Sequence, residues 1–154
     1  MYRTVAVGLL LAACPAVCRP QPARVGRLPL FAGLASGASC SATLASAALQ
    51  RSGIVRILNV NEPGHPRLLS LGVTAAGKPQ MLTAMMSTRD DRRHEGESVM
   101  VFFAENGAVT YGDRSAYTTG TPARRSDDRR LGLLRTDSAE AQALARALLR
   151  LCRT

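Results

Sequence analysis

At 154 residues the chain has room for one domain once a targeting segment is set aside. A hydrophobic share of 46% with only 4% aromatics and no Trp asks for a core of Leu, Val, Ala and Met, and leaves a base- or sugar-stacking pocket poorly supplied. The net charge of +9 is almost wholly Arg, Lys78 being the only Lys, and it is unevenly placed. Residues 1–67 carry seven Arg against one acid, residues 68–112 four bases against five acids, and residues 113–154 nine Arg against five acids. Basic flanks around a near-neutral centre favour an anionic partner such as a lipid headgroup, or serve simply as a solvated surface. No specific nucleic-acid contact is expected.

Residues 1–18, MYRTVAVGLLLAACPAVC, place Arg3 before an uncharged apolar run, the form of a bacterial secretory signal peptide. The run from Val5 to Cys18 is too short to span a bilayer, which takes about 20 residues. Within it, Leu11-Ala12-Ala13-Cys14 resembles the bacterial lipoprotein box. That resemblance implies cleavage before Cys14, diacylglycerol on its sulfur and a lipid anchor in the membrane. The alternative is an ordinary signal cut after Ala16 or Cys18, giving a soluble secreted or periplasmic protein. Residues 19–34 hold three Pro and three Arg and read as a tether, with the apolar stretch Leu28 to Leu34 able to dock on the domain. Residues 35–154 then form a single small domain.

Ser41 as N-cap, the spacing of Leu44, Ala45, Ala48 and Leu49, and Gly53 beyond them predict a short helix over 42–51. Ile54–Val60 is a β-branched run bounded by Gly53 and the loop NEPGHP. Leu68–Thr74 and Met81–Thr88 predict a hairpin, with Leu69, Leu71 and Val73 facing the core. Residues 89–97, RDDRRHEGE, read as a charged connection. Ser98–Asp113 reads as the central hairpin, turning in a two-residue type I′ turn at Asn106-Gly107. One of its faces would hold Val99, Val101, Phe103, Val109 and Tyr111, and the other Met100, Phe102 and Thr110. Both are largely apolar, so packing on each side is expected.

Residues 114–129 read as the longest loop and Leu131–Leu134 as a short closing strand. The last helix has Asp137 as N-cap, Glu140 as its capping-box partner and an apolar stripe of Ala141, Leu144, Ala145, Leu148, Leu151 and Cys152. Arg146, Arg150 and Arg153 lie opposite that stripe. The fold class is therefore α+β: an antiparallel β-meander of five to six strands, a short N-terminal helix, and a C-terminal amphipathic helix packed on the sheet.

Chemistry is sparse. Cys40 and Cys152 flank the domain, and a disulfide between them would contribute about 4–5 kcal/mol as a ceiling in the chain-entropy account. Cleavage after Cys18 leaves that even pair, whereas a lipidated Cys14 leaves Cys18 over. His94, Glu95 and Glu97, beside Asp90 and Asp91, are the only dense set of metal-ligand types. Arg89, Arg92 and Arg93 compete for those acids, and a solvated turn explains the cluster without a metal. Arg124, Arg125, Arg129 and Arg130 are candidate anion contacts, interrupted by Asp127 and Asp128. Glycine spacing fits no phosphate or dinucleotide loop, so no cofactor is expected. The residues support an exported cell-envelope protein that binds a partner protein, a lipid or a cell-wall component. The alternatives are a small metal-dependent hydrolase at the His94 loop and a carrier of an apolar ligand between sheet and helix.

Overall fold

The computed structural model describes residues 28–89, 93–120, 126–130 and 132–153, with side chains over 28–87, 95–116 and 132–153. Residues 1–27, read above as a signal peptide and the first part of a tether, lie outside the described residues. The chain folds as α+β, with one antiparallel sheet in which strand order is chain order. Its strands are β1 (Ser39–Leu44), β2 (Arg56–Asn61), β3 (Arg67–Val73), β4 (Pro79–Arg89), β5 (Arg93–Phe103), β6 (Val109–Gly120) and β7 (Ser126–Arg130). Helix α1 (Ala47–Arg51) interrupts the meander after β1, and helix α2 (Arg135–Leu151) follows β7.

The meander is longer than expected at both ends. Residues 39–44 pair with β2 instead of opening a helix, and α1 starts after Ser46, whose Oγ accepts from the Leu49 amide. Gly53 keeps its expected place beyond the helix, with φ at +92°. Residues 89–97 and 114–129 were expected as loops. The backbone of 89, 93–97, 114–120 and 126–129 instead extends β4, β5 and β6 and enters β7. Charged and Ser/Thr residues are tolerated there because each strand has a paired neighbour to satisfy its backbone.

Period-two burial holds where it was expected. Leu69, Leu71, Val73, Leu82, Ala84, Met86, Val99, Val101 and Phe103 line one face and are buried. That inner face is covered by α2, through Ala141, Leu144, Ala145 and Leu148, and by the segment 28–35, through Leu30 and Phe31. The central hairpin differs in its turn. The Gly107 amide donates to Ala104 O at 2.9 Å and Ala104 N to Ala108 O at 2.8 Å, with Gly107 at φ +80°. This is a three-residue loop ending in a left-handed glycine, not a two-residue turn. A bulge then pairs Phe103 with Val109 but Phe102 with Tyr111. The extra residue, Thr110, moves Tyr111 to the outer face, where its ring lies 6.1 Å from that of Phe102.

Residues 132–134 are not a strand. Leu133 instead lies over Gly112 of β6, where an added Cβ would come within 2.9 Å of the Leu133 Cβ. Helix α2 begins one turn before the expected cap. Asp137 is its third residue and accepts from the Leu134 amide at 3.3 Å, while its other oxygen meets Arg114 Nη1 at 3.3 Å.

Candidate functional site

Three charged residues sit at core-facing positions of strands, and a fourth lies in the loop between β2 and β3. Arg67 shares the parity of Leu69 and Leu71, Glu97 that of Val99 and Val101, and Arg114 that of Ala116. Glu62 precedes β3. All four are at most 3% exposed. Burying a charge is tolerable only when it is paired and hydrogen-bonded, and both conditions are met.

Arg67 meets Glu62 in a bidentate pair, Nε to Oε2 at 2.7 Å and Nη2 to Oε1. Its remaining donors reach Leu30 O at 3.1 Å, Ala32 O at 2.8 Å and Gly33 O at 3.0 Å. The Ala35 amide completes the set by donating to Glu62 Oε1 at 2.8 Å. The Arg67 hydrogen bond, supported by the Ala35 amide, holds the Glu62 carboxyl below the ordinary glutamate value against the opposing effect of burial. In the second clamp Arg114 Nη2 donates to Glu97 Oε2 at 2.8 Å and to Leu28 O at 2.7 Å, and the Leu28 amide donates back to Glu97 Oε2 at 2.9 Å. Glu97 Oε1 is buried with no hydrogen-bond partner among the described residues.

These pairs fasten the 28–35 segment across the inner face. They also engage Glu62 and Glu97, while Asp90 and Asp91 of the charged cluster lie outside the described residues. Glu97, named as a metal candidate, is committed to Arg114 and Leu28, while Glu95 is half-buried and already engaged. His94 is placed by its backbone alone, opposite Arg89 and Thr119. Arg124 and Arg125 fall outside the described residues, as do the side chains of Arg129 and Arg130. Cys40 and Cys152 are joined, with Cα atoms 5.4 Å apart, so β1 is tied to the end of α2.

The opposite face of the sheet is organised differently. At one end Ala45, Leu49 and Ile54 cap it, packing on Met81, Ile57 and Phe102. Gly72 makes room for Ile54 there: an added Cβ would lie 3.0 Å from its Cγ2. Beyond this cap no described residue covers the face. Leu68 lies opposite Met85, which lies opposite Ser98, and the next row runs Ser70, Thr83, Met100 and Asp113. Leu68 is 66% exposed, Met100 42% and Met85 37%. Packing on both sides of the central hairpin, expected from its two apolar faces, is therefore confined to the capped end.

The outward side chains of β1 to β6 across this region are Ser, Thr, Asn, Leu and Met. Asp113 is the one charged side chain there among the described residues, and it is partnered. Sequence reasoning missed this surface because it gave Met to the core as a residue type, without separating Met81, Met85 and Met86 by position. Strand parity separates them: Met86 points inward, whereas Met85 points outward. The chain matches no protein-family model, no curated protein and no solved structure.

Proposed function

We propose that the chain is an exported cell-envelope protein that acts by binding a partner protein rather than by catalysis. The observation that carries this reading is the uncovered outer face of the sheet, a contiguous patch of exposed Leu and Met among small polar residues. Apolar patches rimmed by polar residues mark interaction surfaces more often than they mark solvent-facing sheet. The near absence of charge on the described part of this face favours a protein partner over an anionic headgroup. Two observations support the reading further. Glu62, Glu97 and Asp137 are engaged by arginines and so are not poised for acid–base work, and the Cys40–Cys152 disulfide suits an oxidising compartment.

The test is photo-crosslinking in the expressing bacterium, with a photoreactive residue in place of Met100 or, as a control, of Arg150 on the exposed face of α2. Protein adducts from position 100 and none from position 150 are the expected result. Adducts at position 150 alone, or only lipid or glycan adducts at position 100, would overturn it. The mass of the mature protein decides the anchor: an acyl mass on Cys14 makes it a lipoprotein, and its absence a soluble exported protein.

A further inference from the structure

We propose that the free edge of β1 is a second interaction site, which takes up an extended, acidic segment of another protein as an added strand. The site is separate from the outer face, so its failure leaves the reading above untouched. β1 pairs with β2 on one side and with no described residue on the other. Ala45 donates to Val55 O at 3.1 Å, so by the alternation of an antiparallel ladder the backbone of Ser39, Ser41 and Thr43 also faces β2. The N–H and C=O groups of Cys40, Ala42 and Leu44 therefore point away from the sheet, with no partner among the described residues. Such a row is a template for a further strand, and proteins commonly blunt it with charge, Pro or a bulge. At the opposite edge β7, Ser-Asp-Asp-Arg-Arg, is blunted by charge. β1, Ser-Cys-Ser-Ala-Thr-Leu, has no charge, no Pro and an unbroken register. Addition of an extended segment to an edge of this kind is a recurring mode of peptide recognition.

The chemistry beside the edge names the occupant. On the inner face Ala42 lines a cleft of about 290 Å³ together with Leu58, Val73, Leu149, Arg56 and Arg153. Both arginines are exposed, and neither forms an ion pair with a described residue. An added strand sets one inward side chain beside Ala42, whose single methyl group leaves it room to lean into the cleft. A Glu at that position meets the two guanidinium groups, and charge-assisted hydrogen bonds of this type are the strong ones. Leu44, 81% exposed on the same face, offers an apolar contact to a neighbouring inward side chain. The β1 strand of a second copy fits poorly. It holds no acid, and self-pairing sets its cationic surroundings against themselves. Residues 1–27 of this chain hold no acid either.

The experiment selects binders of the disulfide-bonded exported chain from a phage library of random dodecapeptides, then titrates the enriched peptide by fluorescence anisotropy. The expected peptides alternate apolar and polar residues, carry Glu or Asp among them, and bind more weakly as salt is added. Ala42→Pro removes an outward amide but no donor of the β1–β2 ladder, and should weaken binding about ten-fold. Arg56→Glu and Arg153→Glu should each weaken it about five-fold without moving the thermal midpoint. Residue-resolved amide exchange is the second readout. Cys40, Ala42 and Leu44 should exchange fast in the free chain and about ten-fold more slowly with peptide, whereas Ser41 and Thr43 are slow in both. No enriched peptide, a consensus without acids, binding indifferent to the Arg variants, or a bound peptide that leaves those three amides fast would overturn the proposal. Slow exchange of the three in the peptide-free chain would do so too. If it depends on concentration it gives the edge to a second copy, and if it does not, to this chain's own residues.

Discussion

Arg67 uses all five of its guanidinium N–H groups: two on Glu62 and three on the carbonyls of Leu30, Ala32 and Gly33. No other side chain has that fork, so the position does not tolerate Lys, which presents three donors from a single point. Arg67→Ala leaves Glu62 charged and buried, and should cost about 3–5 kcal/mol in chemical denaturation. Arg67→Lys should fall between that variant and wild type. The pair also sets a pH dependence. Because the folded-state value of Glu62 lies below its unfolded value, the associated stability is complete above the unfolded glutamate pKa, about 4.3. It is lost as pH falls through the lower folded value. Glu62→Gln should therefore lower stability at neutral pH and give a shallower loss than wild type as pH falls below about 4, measured by denaturation at each pH. An equally steep acid limb in the variant would remove Glu62 from the account.

At the scale of elements, the sheet and its two covers are joined by small residues at points of close approach. Gly112 lies under Leu133, whose Cδ2 an added Cβ would strike. Gly112→Ala should cost about 1–3 kcal/mol through overpacking, and Leu133→Ala in the same chain should recover part of it by clearing the space. A fully additive double variant would place the strain elsewhere. Helix α2 shows why its cap was misplaced in the sequence reading. Asp137 has the chemistry of an N-cap, but Arg114 draws its carboxylate inward, and the helix begins earlier with Asp137 serving the Leu134 amide from the third position. The apolar stripe read from the helix period was right, because Ala141, Leu144, Ala145 and Leu148 lie on the sheet regardless of where the first turn starts.

The described residues are closed by a covalent tie across 112 residues. In the chain-entropy account a loop of that size stabilises the fold by about 5 kcal/mol, a ceiling given the compaction of real unfolded chains. Cys40→Ser with Cys152→Ser should lower the unfolding free energy, measured by chemical denaturation, by no more than this.

The sequence by itself determined the α+β class, the consecutive antiparallel pairing of the central strands, the inner-face residues and the stripe of α2. Those follow from periods of two and 3.6, which are local properties of the chain. It offered Cys40 and Cys152 as one pairing beside two free thiols, and the fold joined them. Tertiary structure alone decided the rest. Pairing with β2 turned 39–44 into a strand against its helical spacing, and a single bulge at Thr110 sent Tyr111 to the far side of the sheet. Only the fold showed that two arginines clamp the 28–35 segment over one face and that the other face is left open. A side chain's parity is written in the sequence, but which face is covered depends on segments far away in the chain, here residues 28–35 and 135–151.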